Sequence, residues 1–571
     1  TLGSTTAIQS DDDTLTLNVS TGNAITGSQT LKIRGQGNIT ISDPVAIGSA
    51  TLYKYNTGTL TLTGTNTQSR SYISGGVLSV NQDRALGAVP GSTDSNNITI
   101  NGGTLKTTAS FTINTKRGIQ LDASNSTINV DASTTLTYAG IIDHQGSETN
   151  NGYTKSGGGT FALSGDSTYS GVTTISAGVI TIAHAGSLGS TSGATSITSG
   201  AALSISGGIT VAEPITVNGT GVSSGGAIVF TANDNTYSGA ITLGSTSTIV
   251  STGGAQTISG AVNGGYGLTI TANGNLVISG AVGGSTDLSS YAVTTTGSAS
   301  QTFSANVETT GNQTYTAAGG IVTSGARTFD SSSGTVNFAS ALSGNNNVTV
   351  TGNADIDGAI TDIAVLSISG TSNVGADITT SGTQTYTGAV TLSADVTLTS
   401  SNDVITFSST INSDGTARDL TLAPGSGNIV ISNTIGGSAN LDVLTINTTG
   451  TASFTAVNAA GVVITQSGGS SFSGALAVTT VTLTDTADAA SVTFNGNATI
   501  TTLNTAGQAY NVVFNGASNT ITNAVTFSNT GFVTLGNGSS DSITFTAGVT
   551  AEAPSSVNVA GSVKASNTAT I

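Results

Sequence analysis

The sequence predicts an all-β chain folded as an elongated right-handed parallel β-helix, and three observations carry that prediction. A stretch opening at Lys54 is repeated in a second stretch opening at Lys155, so the chain contains a recurring unit. Short segments with branched apolar side chains at alternate positions recur along the whole sequence. Between them lie corners such as Gly75-Gly76, Asn101-Gly102-Gly103 and Gly157-Gly158-Gly159, where missing side chains permit sharply turned backbone.

Taken in order, Thr59-Leu-Thr-Leu-Thr63, Gly76-Val-Leu-Ser-Val80, Asn97-Ile-Thr-Ile100 and Gly178-Val-Ile-Thr-Ile182 each read as a short strand with one buried face. In Gln384–Leu398 the residues Val390, Leu392, Val396 and Leu398 point inward and the intervening threonines outward, since β-branched Thr favours a strand without making its outer face apolar. Late in the chain Phe494, Phe514 and Phe527 take over the inward positions and predict an internal aromatic ladder. No window combines a helical stripe with caps, so little helix is expected. A closed barrel or propeller needs a fixed unit length, yet Thr-Tyr pairs recur unequally at Tyr169, Tyr237, Tyr315 and Tyr386. A solenoid tolerates this, because an insertion in one coil bulges outward without breaking the stack. Coils of about 20 residues stacked at about 4.8 Å predict a rod on the order of 120 Å long. The alternative is a string of β-sandwich domains.

Composition narrows the function. The 571 residues include 77 glycines, 5 prolines and no Cys, Met or Trp; with 36% hydrophobic and only 7% charged residues this is ordered β-structure and not a disordered chain. Without cysteine there is neither a disulfide nor a thiolate metal site. Residues 1–155 carry 9 basic and 10 acidic side chains, a near-neutral N-terminal region containing the first repeat. Residues 156–571 carry 3 basic and 19 acidic ones, an acidic body with degenerate repeats. That charge repels phosphate backbone and excludes nucleic acid as a partner. No apolar run reaches the roughly 18 residues of a membrane helix, and no signal peptide opens the chain. The absent Met and the Thr/Asn/Gly-rich surface predict a processed, exported protein, extracellular or on a bacterial cell surface.

The two repeats resemble the autotransporter-associated β-strand repeat of bacterial secreted and surface proteins. Lys54 and Lys155 open them, followed by Gly58 and Gly159, Gly64 and Gly165, Gly76 and Gly178, and Gly87 and Gly189. The second copy carries the family's Thr-Tyr-x-Gly turn at Tyr169 and Gly171, whereas the first has Gln68 and Arg70 there, so its central turn is expected to differ. The resemblance implies an exported β-helical passenger of adhesive, structural or scaffold character with no catalytic residues, these twelve positions being architectural.

Sites with chemistry are few. Gly165-Asp-Ser167 with His184 superficially suggests a hydrolase, but Gly-Asp-Ser occupies the same corner as Gly64-Thr-Asn66 and no nucleophile elbow supports it. Two histidines, His144 and His184, make a zinc or iron site unattractive. Calcium is the one cofactor the residue set admits: Asp11-Asp-Asp13, Asp355 with Asp357, and Asp485 with Asp488 are the densest acidic groups, and Asp355 and Asp357 alternate onto one face, where repulsion needs relief by water or a cation. Without clustered carboxylates and basic residues a polysaccharide-active enzyme is a minor alternative, and the chain is read as a non-enzyme. No aromatic and arginine cluster marks a receptor patch in the sequence. The expected function is therefore an extracellular scaffold of a surface layer, sheath or filament, with an autotransporter-like adhesin or display passenger as the competing role. Self-assembly into a homo-oligomer or polymer, with residues 1–155 at the subunit contact, is the expected partnership. A cell-surface glycan or protein is the expected partner class for the adhesive role.

Overall fold

The computed structural model describes residues 1–146 and 150–571, which cluster into two compact units, Thr1–Ala299 and Ser300–Ile571. Each unit is a β-solenoid. Strands follow one another around a coil and pair in parallel with those of the next coil, as Thr51–Lys54 does with Arg70–Ile73 and Gln384–Tyr386 with Ile405–Phe407. Parallel pairing throughout both units removes the sandwich alternative, whose strands meet as antiparallel neighbours. Helix among the described residues is confined to two short 3-10 turns, Asp83–Leu86 and Val222–Ser224.

In the first unit one coil runs through Thr51–Lys54, turns at Gly58 and continues through Thr59–Leu62; the next coil lays Arg70–Ile73 and Val77–Val80 beside those two strands. The apolar alternation fills the interior: Leu52, Leu60, Leu62, Ile73 and Leu78 have no exposed surface. The same register is built a second time, where Tyr153–Ser156 pairs with Thr173–Ile175 and Thr160–Leu163 with Gly178–Ile182. Both repeats then close on a residue in the left-handed region, Gly76 at φ +59° and Gly178 at φ +67°. A Cβ at either position would collide with carbonyl oxygens of the preceding coil, which explains why the echo preserves glycine there.

The lysines that open the repeats point inward. Lys155 is fully buried, and its Nζ donates to Ser156 O at 3.0 Å, Gly157 O at 2.8 Å and Ala177 O at 3.0 Å. Lys54 repeats this with Tyr55 O, Asn56 O and Gly75 O at 2.7, 3.0 and 3.3 Å. One ammonium thus satisfies three corner carbonyls that bend away from the strand ladder, and its burial pushes each lysine down to about 8. The first repeat's central turn is one residue shorter, its strand Arg70–Ile73 starting sooner after Gln68 than Thr173–Ile175 does after Tyr169, but one anchoring bond is kept. Gln68 occupies the buried place of Tyr169: Gln68 O accepts from Ala88 N–H as Tyr169 O accepts from Ser190 N–H. The Leu86-Gly87 corner is additionally tied by Arg117, a fully buried guanidinium that pairs with Asp83 at 2.9 Å and donates to Gly87 O, Ala88 O and Asn97 Oδ1.

The second unit has three strands per coil, illustrated by Gln384–Tyr386, Val390–Leu392 and Val396–Ser400, which stack on Ile405–Phe407, Ile411–Ser413 and Leu420–Gly425. Val390, Leu392, Val396 and Leu398 are buried as the alternation predicts. A polar network recurs inside this unit. Gln384 Nε2 donates to Thr380 Oγ1, Ile378 O and Thr399 O while Tyr386 OH donates to Gln384 Oε1. Gln313 and Tyr315 make the corresponding set with Thr309, Val307 and Asp330. The Thr-x-Gly-x-Gln-Thr-Tyr sequence at 309–315 and 380–386 is therefore a second repeat, in which a buried amide finds partners on two coils. The aromatic ladder is internal and runs Phe454, Phe472, Phe494, Phe514, with centroids 4.9, 5.3 and 4.8 Å apart and rings within 20° of parallel. Phe527 is buried but lies off this stack, edge-on to Phe545, because its neighbouring strand Val525–Thr526 pairs with Val549–Thr550 in a separate small sheet.

Candidate functional site

Among the described residues, the acidic groups named from the sequence belong to no cluster of three or more carboxylate or imidazole side chains that could hold a metal ion. Asp355 lies in an outward ladder between Asn337 and Asn373, whose amides donate to its two oxygens at 2.7 and 2.8 Å, and Asn337 also donates to Asp357 at 2.9 Å. Amide donors on both sides offset the repulsion between the two carboxylates. Asp485 and Asp488 occupy the loop after strand Leu476–Leu483, half-buried and exposed respectively. Among the described residues no three His, Asp or Glu side chains are grouped as a metal site requires. The Gly165-Asp-Ser167 corner likewise assembles no triad. His184 lies just past strand Gly178–Ile182, its Nδ1 accepts from Gly186 N–H at 3.1 Å, and Ser167 is buried beneath the corner with its Oγ accepting from Ile142 N–H.

The remaining architectural positions are where coils pass closest. Added side chains at Gly58, Gly64, Gly159, Gly165 and Gly171 would each overlap backbone of a neighbouring stretch, while Gly87 and Gly189 occupy positive φ at +109° and +87°. Tyr169 is fully buried, its hydroxyl 2.6 Å from Thr173 Oγ1 and its ring edge-on to Tyr153 at 5.5 Å. Beside this cluster Glu213 is 3% exposed; burial pushes its carboxyl up to about 8, opposed by a hydrogen bond with Thr195. These groups face the interior and belong to the core.

An outward face of the first unit has a different character. The strands Thr6–Gln9, Leu31–Arg34, Thr51–Lys54, Arg70–Ile73, Asp94–Ile100, Arg117–Leu121 and Ile142–His144 form one parallel sheet whose inward residues include Leu31, Leu52 and Ile73. Their outward partners stand in one row in strict register: Lys32, Tyr53, Tyr72, Thr99, Gln120, Asp143. The Tyr53 and Tyr72 rings lie 5.1 Å apart and tilted by 44°, and Tyr55 stacks on Tyr53 at 5.7 Å and 5°. Arg34 covers the Tyr55 ring at 5.4 Å, a cation–π contact, and the half-exposed Arg70 reaches Asp94 at 3.4 Å. Asn101 donates to the Tyr72 hydroxyl at 2.7 Å, and that hydroxyl donates to Asp122 at 3.3 Å. Partial burial pushes the Asp122 carboxyl up and the Tyr72 hydroxyl pulls it back. Of these, Tyr53, Arg70, Tyr72, Thr99, Gln120 and Asp122 line a groove of about 240 Å³ that also takes in Thr51, Asn96 and Gln145.

This face overturns the expectation that no aromatic and arginine cluster exists. Eight of the 12 tyrosines are buried, and of the four that are not, three share this face; Tyr266, 46% exposed, is the fourth. The signal was present in the sequence as phase. In Leu52-Tyr-Lys-Tyr55 the inward positions are Leu52 and Lys54, which forces Tyr53 outward, but reading Lys54 as an inward residue requires its carbonyl cage to be seen.

Fold and repeat together define an all-β parallel solenoid, with a partly exposed aromatic face on the strands that carry the first repeat. The passenger-associated-transport-repeat profile matches residues 52–80 and 154–182, the two copies built on Lys54 and Lys155. Over 159 residues, 28% of this chain, the sequence is 36% identical to the adhesin BmaC autotransporter of Brucella suis biovar 1 (strain 1330), and the matched part spans 4% of that protein's length. No solved structure matches the chain significantly. Among the described residues no helix is long and apolar enough to cross a membrane.

Proposed function

We propose that this chain is a segment of an exported passenger displayed at the bacterial cell surface, where it acts in adhesion through the Tyr53–Tyr72 face. The observation that carries the reading is the gathering of three non-buried tyrosines with Arg34 and Arg70 on one sheet of an otherwise Thr- and Asn-covered solenoid. Tyrosine and arginine are the residues that concentrate binding energy at protein surfaces, and a rigid parallel sheet holds them without further ordering. Similarity to an adhesin autotransporter supports the same direction. The chain has no enzymatic role in this reading. Two measurements test it together: antibody against the chain should label intact producing cells, and beads coated with it should adhere to an epithelial monolayer while beads carrying Tyr53→Ala/Arg70→Ala do not. Unlabelled cells, or equal adhesion by both bead types, would remove the proposal.

A scaffold role is the second reading, favoured by the charge contrast between residues 1–155, net -1, and residues 156–571, net -16. Joining unlike regions is then less repulsive than joining acidic bodies side by side, and assembly should strengthen with salt or calcium. Sedimentation across both conditions checks this, and a monomer in all of them excludes it.

A further inference from the structure

Resting on the adhesive reading, we infer that the Tyr53–Tyr72 face binds an oligosaccharide lying along the solenoid axis, with successive pyranose rings seated on Tyr53 and Tyr72. The sheet's geometry suits such a ligand. Coils repeat at about 4.8 Å, comparable to the length of one pyranose unit, and the two ring centroids lie 5.1 Å apart, one per coil, tilted by 44°. A pyranose has an apolar face of C–H groups, which packs on an electron-rich ring, and a rim of hydroxyls that are both donors and acceptors.

The rim groups required by such a sugar are supplied on both sides of the tyrosine row. Arg70 engages Asp94 through one nitrogen at 3.4 Å, and Asp122 accepts from Tyr72 through one oxygen. The half-exposed Arg70 guanidinium is a planar fork with capacity for a pair of neighbouring hydroxyls. Along the row, beyond Tyr72 and the buried Thr99, Gln120 adds an amide in the same register. The groove's 240 Å³ is on the scale of a single sugar ring, and its lining combines Tyr53 and Tyr72 with Arg70, Asp122 and the amides of Asn96, Gln120 and Gln145. A protein partner would be expected to meet a deeper apolar pocket receiving an anchor side chain; the lining of this groove is polar apart from its two tyrosines.

The test compares beads coated with the intact chain on an epithelial monolayer before and after mild periodate oxidation, which cleaves the vicinal diols of surface sugars. Binding of the soluble chain to a printed array of defined oligosaccharides is measured in parallel. The inference expects adhesion to be lost after oxidation, array binding by wild type, and about a tenfold weakening for Tyr53→Ala and for Tyr72→Ala. Tyr53→Phe, which keeps the ring, should retain most of the binding, and thermal unfolding of each variant separates lost contact from lost fold. Adhesion that depends on Tyr53 but survives periodate would overturn the saccharide inference in favour of a protein partner while leaving the adhesive reading intact. An absence of wild-type binding to both monolayer and array would remove both.

Discussion

Replacing Lys155 with Met tests whether a buried ammonium holds the repeat's corner. The side chain's methylene path remains filled, so the change removes the three hydrogen bonds to Ser156 O, Gly157 O and Ala177 O with little cavity formation. Hydrogen bonds to a charged group contribute about 1.5–3 kcal/mol each, but desolvation of the ammonium offsets much of that sum, leaving an expected net loss of about 2–4 kcal/mol. In a solenoid the loss stays with the repeat and its neighbours. Hydrogen exchange should therefore accelerate by about 30- to 1000-fold in residues 153–182 and little in 51–80. Lys54→Met should do the reverse. The pH dependence has a fixed sign: the folded-state pKa is lowered to about 8 from the ordinary 10.5, so the unfolded chain binds more protons between those values. Wild-type stability, measured against the Met variant, is therefore greatest above 10.5 and declines as pH falls through about 8. Unchanged exchange at 153–182, or acceleration spread evenly over the first unit, would refute the reasoning.

Three further substitutions probe other parts of the core. Glu213 is raised to about 8, so its protonated form stabilises the fold below the unfolded value near 4.5 and that contribution is lost as pH rises through 8. Glu213→Gln should therefore match wild type near pH 4 and exceed it at pH 9 by about 2–3 kcal/mol after allowance for solvent screening, read by denaturant titration. Arg117→Met should cost about 3–5 kcal/mol, because it strands Asp83 and the carbonyls of Gly87 and Ala88, and chemical unfolding monitored by circular dichroism should show it. Phe494→Ala interrupts the stack between Phe472 and Phe514 and should cost about 3–5 kcal/mol, with exchange rising in the strands that carry those rings.

The solenoid was legible because two signals agreed: the echo at Lys54 and Lys155, and the inward alternation of residues such as Val390, Leu392, Val396 and Leu398. Both are local periodicities, and parallel stacking converts them directly into a core. The internal Phe ladder followed from the same logic, although Phe527 joined a different sheet because pairing partners are set by distant residues. Lys54 and Lys155 were recognised as opening residues, yet their burial was not readable, since the carbonyls that cage them come from two corners separated in sequence. The Gln384 and Gln313 networks were missed for the same reason: a polar residue in strand phase reads as surface until its partners on the adjacent coil are in place. The tyrosine face was hidden by composition, since Tyr53 and Tyr72 are far apart in sequence and become neighbours only through the register of successive coils.

Hydroxyl-radical footprinting of the chain, free and bound to an epithelial surface, tests the central claim most directly. The account predicts protection of Tyr53, Tyr55 and Tyr72, with Tyr266 on the same unit remaining fully reactive as the internal reference. Protection of Tyr266 without Tyr53 and Tyr72, or a bound chain whose tyrosines react as in the free one, would contradict it.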